Sequence, residues 1–357
     1  MTTTKRLPSR TASQFAHLLT MPVTDAFALA CTTLDRLQIV PDGCHVVGPV
    51  SERLLAAAHA AGIADVDSLL VHQGRVLCDL TGLAGLDGEH EPDLAAELHL
   101  LRNVFAALVA AAGLGCGATV AQVLARVPAL TCNRSWQSRR PKTADETLLL
   151  RLVAEGRAGT DLGLRGTCTY VLAEAGAGVG ELTAVFAVDI AGDSTSRFVA
   201  SPGTRRKATE AIKLDAWGSR HISTLVALRL REDAKGGPCR PLTYLGKHTP
   251  GSEQAQQSAQ PILDKMRTLA GLNTADTTAL SITLFRAGQT LAAGGSAREV
   301  IALTRTLTSW PDGSIKQDGG FEQTCRELRI SPDELASVRP VVTQLPRRAR
   351  RPQAIAA

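Results

Sequence analysis

Apolar positions recur at three- and four-residue spacing along most of the chain, which is the pattern typical of amphipathic helices. Through residues 12–130 this spacing is clear in AFALACTTLDRL, SERLLAAAHAAGI, AAELHLLRNVFAALVAAAG and TVAQVLARV, with Thr24 and Ser51 as candidate N-caps. The acidic, glycine-rich stretch Leu83–Asp93 and the run GLGCGA near Gly115 interrupt the pattern. We therefore predict a helical N-terminal domain over residues 1–130.

A polar and basic segment, TCNRSWQSRRPKT at residues 131–143, carries a proline and no helical periodicity, which predicts an interdomain linker. Periodicity returns at TADETLLLRLVAEG, where Thr143 is the expected N-cap and Asp145 and Glu146 fall in the first turn. Another helix is predicted over roughly Arg165–Ala175.

Two short strands are predicted around a basic turn in the middle of the chain. Ser196–Ser201 and Glu210–Leu214 read as strands, and PGTRRK lies between them as a hairpin turn. The preceding run GAGVGELTAVFAVDIAG predicts a glycine turn, a short helix and an approach to a strand. Further helices are expected at 215–233, 254–271, Thr277–Ala293 and Ala297–Thr308. The predicted fold class is α+β, mostly α, with a second domain at 144–325 and a C-terminal segment at 326–357 that ends in the basic run RRARRP.

Charge is distributed unevenly between the two predicted domains. Residues 1–130 carry 8 Lys/Arg against 12 Asp/Glu, residues 131–250 carry 18 against 12, and residues 251–357 carry 13 against 10. The net charge of +5 therefore comes from the C-terminal two thirds. Such asymmetry is typical of a domain that binds a polyanion, and many ordinary basic domains share it. An aromatic content of 3% argues against a platform that stacks single-stranded bases.

Other chemistries lack their motifs. The cysteines are scattered singly, with no CxxC pair and no histidine at zinc-ligand spacing, and neither GxSxG nor HExxH occurs. We therefore expect no metal and no cofactor. No stretch approaches the roughly 18 apolar residues that a membrane helix needs, and no apolar signal core follows the basic start. We expect a cytoplasmic protein with no membrane partner.

Four segments in order resemble the tyrosine recombinase (phage integrase) superfamily. RRPKTADETLLLRLV is similar to the linker and first helix of that family's catalytic domain, and AEAGAGVGELTAVFAVDI to its TGLR…EL…DI stretch. FVASPGTRRKATEAIKL resembles its β-hairpin with the catalytic lysine, and LAAGGSAREVIALTRTL resembles its LLEAG…LLGH stretch. The resemblance covers about residues 130–310. It implies a helical, core-binding-like N-terminal domain followed by a catalytic-type domain with a small sheet.

The same resemblance implies that the catalytic set has been lost. The family attacks a phosphodiester with a tyrosine and stabilises the phosphorane with arginines, histidines and a lysine, roles that neutral side chains cannot fill. Only Lys207 keeps the family's residue type, and Arg286, one turn beyond Thr283, is a substitute arginine that the register does not favour. The remaining family positions fall on Gly178, Leu280, Thr283, Thr306 and Ile315.

The tyrosine count gives the same conclusion without an alignment. The chain contains only Tyr170 and Tyr244, and none follows Tyr244, so a C-terminal tyrosine nucleophile in this chain is excluded. Tyr170 falls in a predicted helix, where a structural role is expected. We therefore assign no catalytic residue.

What remains is charge that could face a DNA duplex, since lysine and arginine bind phosphates and release counterions. The hairpin cluster resembles the family's groove-contacting turn, and the linker cations are placed to clamp the backbone; a solvated surface residue is the alternative for each. The candidate DNA-binding residues are Arg134, Arg139, Arg140, Lys142, Arg205, Arg206, Lys207, Lys247, Arg286 and Arg298.

The favoured function is duplex DNA binding without strand cleavage, by a two-domain clamp that is accessory or regulatory to an active recombinase or that associates with itself. One alternative is an active recombinase whose nucleophile is supplied in trans or is atypical. An alternative of another class is a protein-interaction scaffold, in which the acidic N-terminal domain binds a partner and the basic domain is incidental.

Overall fold

The computed structural model describes residues 16–44, 49–69, 71–72, 103, 140–192, 197–199, 211–235, 239–272, 277–304, 307–309, 315–317 and 321–331. Within these ranges the chain is mostly helical and carries two small antiparallel sheets, which confirms the predicted balance of α and β structure. No helix in the described ranges is both long enough and apolar enough to span a membrane. The predicted helices of residues 73–130, apart from residue 103, lie outside the described residues, as do the acidic loop Leu83–Asp93, the boundary at residue 130 and the RRARRP tail.

Two helices of the N-terminal part have both ends among the described residues, α1 (Val23–Leu37) and α2 (Pro49–Ala60), and residues 16–19 and 66–69 are helical as well. Both begin earlier than the N-cap prediction, because Pro22 precedes α1 directly and Ser51 lies inside α2. Proline suits a helix start, where its missing N–H leaves no intrahelical bond unmade. At its other end α1 stops at Gln38, whose left-handed φ of 48° turns the chain toward the C-terminal part.

The predicted helix after Thr143 is confirmed as α3 (Ala144–Glu155). The Thr143 hydroxyl accepts from the Glu146 N–H at 3.2 Å, and the Glu146 carboxylate accepts from the Thr143 N–H at 2.9 Å, which forms a complete capping box. The next helix, α4 (Asp161–Glu174), starts four residues before the prediction, with Thr160 as its N-cap. Gly163 disfavours helix formation, so the sequence pattern does not predict this helix start. The glycine is required because a Cβ there would lie 1.8 Å from the Arg157 carbonyl oxygen.

A glycine turn leads from the helices into the first sheet. Gly176, with a φ of 98°, precedes α5 (Val179–Leu182), a 3-10 helix (Ala187–Asp189) and β1 (Ile190–Gly192). Strand β1 pairs antiparallel with β2 (Arg197–Val199), which pairs antiparallel with β3 (Ile212–Lys213). The predicted strands around the basic turn are therefore confirmed as neighbours. Their connection, residues 200–210, lies outside the described residues.

The C-terminal helices agree with the prediction in two cases and differ in two. Helices α6 (Ala216–Asp233) and α7 (Glu253–Leu269) match. The predicted helix Thr277–Ala293 is two helices, α8 (Ala279–Thr283) and α9 (Phe285–Ala292). The Thr283 hydroxyl donates to the Leu280 carbonyl at the junction, a local bond that competes with regular helix.

The second difference is a β-hairpin that the sequence does not predict, whose first strand overlaps the end of the predicted helix Ala297–Thr308. Helix α10 (Ala297–Thr304) ends before residue 308, and β4 (Leu307–Ser309) pairs with β5 (Ile315–Gln317). The sequence between them, WPDGS, has the composition of a turn, and that signal identifies the hairpin. Helix α11 (Phe321–Leu328) follows. It buries Cys325 and Leu328 in a small cluster with Leu284, between α8 and α9, and with Ala287 of α9.

One continuous apolar core joins the N-terminal helices to the C-terminal part. Leu34 and Ile39, at and after the end of α1, belong to the same buried cluster as Leu148 of α3, Leu172 of α4 and Trp217 of α6. Gln289 also donates its side-chain amide to the Asp42 carbonyl, and the Cys44 thiol donates to Asp145 at 3.0 Å. The division into two domains at residue 130 stays a prediction, since residues 104–139 lie outside the described part.

At the centre of this core lies the guanidinium of Arg151, whose residue is 3% exposed. It pairs with the carboxylates of Glu174 and Asp215, donates to the Ile39 carbonyl at 2.9 Å, and lies 5.0 Å from the centre of the Trp217 ring. Burial alone lowers the pKa of Arg151, but the charges of Glu174 and Asp215 outweigh it and raise the pKa above its ordinary value. One side chain thus ties together α3, α4, the start of α6 and the segment after α1.

We predict that Arg151→Met lowers the free energy of unfolding by about 3–5 kcal/mol, because it leaves the Glu174 carboxylate buried without its counterion. Urea unfolding followed by circular dichroism measures this. Arg231→Met is the matched control, since Arg231 is exposed and donates only within its own helix. Its effect should stay within about 0.5 kcal/mol. Equal stability of the two variants would contradict the central position of Arg151.

Candidate functional site

The structure describes only part of the predicted DNA-binding set. Arg140, Lys142, Lys247 and Arg286 are described, and Arg298 lies in helix α10. The linker and hairpin cations Arg134, Arg139, Arg205, Arg206 and Lys207 lie outside the described residues. Their contacts with DNA stay predictions.

The two described linker cations bind within the protein. Arg140 donates both terminal nitrogens to the Glu146 carboxylate, at 2.8 and 2.9 Å. Lys142 is 4% exposed, its Nζ lies 3.8 Å from Glu146 Oε1, and its backbone N–H donates to the Ser281 carbonyl at 3.0 Å. The expectation that Lys142 is placed to clamp DNA is corrected here. The buried carboxylate of the capping box attracts both cations, and the end of the linker docks on α8 instead of facing solvent.

The other two described cations are more accessible. Lys247 is exposed in the turn before α7. Arg286 is half-buried at the start of α9 and donates to the backbone carbonyl of Lys213 at the end of β3. Arg286 therefore faces a cleft that also contains Lys213, a cation that the sequence reading did not select.

The positions assigned to the family's catalytic residues carry no charged group in the described part of the chain. Gly178 precedes the short helix α5 and donates its N–H to Glu181 at 2.8 Å. Thr283 is buried and bonded to Leu280, and Ile315 lies in β5. A Cβ on Gly176 would lie 3.9 Å from the Thr283 carbonyl oxygen, so the glycine turn and α8 are adjacent in space. Gly178, Thr283 and Ile315 themselves therefore supply no cation to stabilise a phosphorane.

Both tyrosine hydroxyls are held inside the protein. Tyr170 is fully buried in α4 and donates to the Thr147 carbonyl at 3.3 Å, which confirms its predicted structural place. Burial, with the nearby Glu174 charge, raises the pKa of Tyr170 well above its ordinary value. Tyr244 is 5% exposed, and its oxygen accepts from the His248 N–H at 3.0 Å. Neither hydroxyl is presented as a nucleophile.

A further pair of basic residues, Arg220 and His221, converges on Glu155. One carboxylate oxygen accepts from Trp217 at 2.9 Å and from Arg220 at 3.0 Å, and lies 2.8 Å from His221 Nε2. Burial alone raises the pKa of Glu155, but the hydrogen bonds from His221 and Trp217 and the charge of Arg220 outweigh it and lower the pKa. These contacts fasten α6 to α3, so His221 has a structural role.

We predict that Glu155→Gln lowers the free energy of unfolding at neutral pH by about 1–3 kcal/mol. Because the folded-state pKa is lowered, the carboxylate's contribution is complete above the ordinary value of 4.5 and is lost as the pH falls through the folded value. Urea unfolding over a pH series should therefore show a steeper acid loss of stability in the wild type than in Glu155→Gln. The control is Glu253→Gln, at an exposed carboxylate in the first turn of α7. Parallel pH profiles for wild type and Glu155→Gln would contradict the prediction.

A cleft of about 690 Å³ lies between the segment after α1, the end of β3 and helix α9. Arg151, Glu174 and Asp215 reach it from the core, and Lys213 and Arg286 reach it from β3 and α9. Gln38, Asp42, Gln289 and Thr290 complete its polar lining. Sequence reasoning missed this cleft because its walls come from three distant parts of the chain.

In the described ranges, no group of three or more His, Cys, Asp or Glu residues is placed to hold a metal ion. The acidic loop Leu83–Asp93 lies outside them.

No protein-family model matches the chain, and a search of curated proteins finds no significant match.

Proposed function

We propose that this protein binds duplex DNA without cleaving it, on a scaffold similar to that of the tyrosine recombinases, as an accessory or regulatory partner of an active recombinase. The observation that carries the proposal is the antiparallel pairing of β2 with β3. It makes the basic run PGTRRK the connection between two adjacent strands, the place that the resemblance gives to a DNA-contacting turn.

The order of elements around that connection supports the same scaffold. A positive-φ glycine turn, a short helix, a 3-10 helix and a three-stranded antiparallel sheet follow one another, and the long helix α6 comes next. This order of elements resembles that of the tyrosine recombinase superfamily.

The residues available for chemistry favour binding over cleavage. Both tyrosine hydroxyls are buried and bonded to backbone, and the family's arginine and histidine positions hold neutral residues. Binding needs no such set, because cations that neutralise phosphates release counterions and supply affinity on any sequence. The basic balance of residues 131–250, 18 Lys/Arg against 12 Asp/Glu, fits this role.

We expect the triple variant Arg205/Arg206/Lys207→Ala to weaken duplex binding on every sequence tested. Fluorescence anisotropy at several salt concentrations measures it, and the log–log salt slope should fall by about 2–3 if all three side chains contact phosphates. The matched control is Arg231/Lys235/Arg240→Ala, which removes the same charge from exposed positions at and beyond the far end of α6, roughly 25 Å from its start. Equal losses in both variants would contradict a specific role for the hairpin turn.

We expect no covalent protein–DNA adduct on nicked or suicide duplex substrates. Denaturing gel electrophoresis with labelled DNA reports such adducts directly. The expectation holds also when a tyrosine-containing peptide or an active recombinase is added, since a donated hydroxyl does not restore the missing charge stabilisation on this chain. An adduct to this chain would contradict the proposed function and favour the alternative of an active recombinase with an atypical nucleophile.

A further inference from the structure

We propose that the cleft between the segment after α1, the end of β3 and α9 is a phosphate-binding site, with Lys213 and Arg286 as its anion-binding side chains. The inference rests on the geometry of the cleft and does not depend on the proposed function. The cleft has a volume of about 690 Å³, which lies within the range of roughly 300–1,000 Å³ that is usual for ligand pockets.

Lys213 and Arg286 are neighbours at the edge of the cleft. The Arg286 guanidinium donates one nitrogen to the Lys213 carbonyl, which fixes it beside the strand that carries the lysine. Lys213 itself is exposed. Among the described residues neither side chain has a carboxylate within the 4.0 Å of an ion pair, unlike Arg140, Arg151 and Arg220.

The carboxylates at the floor of the cleft already pair with groups of the protein. Both oxygens of Glu174 accept from Arg151. One oxygen of Asp215 pairs with Arg151, and the other accepts from the Gly218 N–H at 2.8 Å, where the start of the 18-residue helix α6 favours negative charge. These carboxylates therefore repel an incoming anion less than exposed ones would.

Among the described residues that line the opposite wall of the cleft, Asp42 carries the one carboxylate. Its backbone carbonyl accepts from the Gln289 amide, which fixes this wall against α9, and its residue is exposed. A negative charge at this place opposes anion binding. Removing it should therefore strengthen the site, an effect opposite in sign to removing either cation.

Phosphate is the anion that suits this pair of donors. The guanidinium presents a planar set of N–H groups and the ammonium a compact charge, and a phosphate has enough acceptor oxygens to take both at once. Two sources share this chemistry: a phosphorylated small molecule and the DNA backbone. The experiment separates them.

Isothermal titration calorimetry with inorganic pyrophosphate at low ionic strength tests the site itself. We expect Lys213→Ala and Arg286→Ala each to weaken binding about tenfold, the loss of one charge-assisted contact. Asp42→Asn should tighten binding. The matched controls are Lys235→Ala and Arg231→Ala, an exposed lysine and an exposed arginine that donates to a backbone carbonyl, and both should bind as the wild type does.

Absence of pyrophosphate binding by the wild type would overturn the inference, as would undiminished binding by folded Lys213→Ala and Arg286→Ala. Circular dichroism and the melting temperature identify folded variants. Lys213→Ala provides the test even if Arg286→Ala unfolds, because the Lys213 side chain is exposed.

Competition identifies the source of the phosphate once the site is established. If pyrophosphate releases a labelled duplex and Lys213→Ala weakens duplex binding, the site holds a backbone phosphate. If duplex binding is unaffected while pyrophosphate binding is lost, the site holds a phosphorylated small molecule. Both results support the site. A wild type that binds pyrophosphate but no duplex contradicts the proposed function and leaves the inference standing.

Discussion

The structure depends on the burial of one charged group, the Arg151 guanidinium. Taking it out of water is costly, and the cost is offset only because Glu174, Asp215, the Ile39 carbonyl and the Trp217 ring surround it. Those partners come from α4, the start of α6 and the segment after α1. Asp215 also caps α6, so the same carboxylate that neutralises Arg151 fixes the helix start beside Lys213 and the cleft. The pairing of Arg151 with Asp215 in the core therefore also fixes the position of the cleft.

Internal pairing also decides which cations are left for a ligand. Glu146 binds Arg140 and lies beside Lys142, and Glu155 binds Arg220. These pairs hold the linker and α6 to α3, so the cations neutralise carboxylates within the fold. Lys213 and Arg286 in the cleft, and Lys247 in its exposed turn, differ from them in having no carboxylate partner among the described residues. The number of basic residues therefore overstates the positive charge that is available to bind a polyanion.

The sequence predicted what depends on neighbours in the chain. The start of α3 follows from Thr143 and Glu146 three residues apart, and the pairing of β2 with β3 follows from two short strands around PGTRRK. The hairpin after α10 was missed because helical periodicity outweighed the WPDGS turn. The burial of Lys142 and the cleft at Lys213 depend on segments far apart in sequence, such as Asp42 and Gln289, and no local pattern reports such contacts.

In the proposed function, the basic C-terminal part binds duplex DNA through its phosphates. The most direct measurement is fluorescence anisotropy of the wild-type protein with a labelled duplex of about 30 base pairs, titrated from low to physiological salt. We expect binding whose log affinity falls linearly with log salt, with a slope that corresponds to several phosphate contacts. No binding even at low salt would contradict the proposed function, and would favour a protein-interaction scaffold that acts through the acidic N-terminal part.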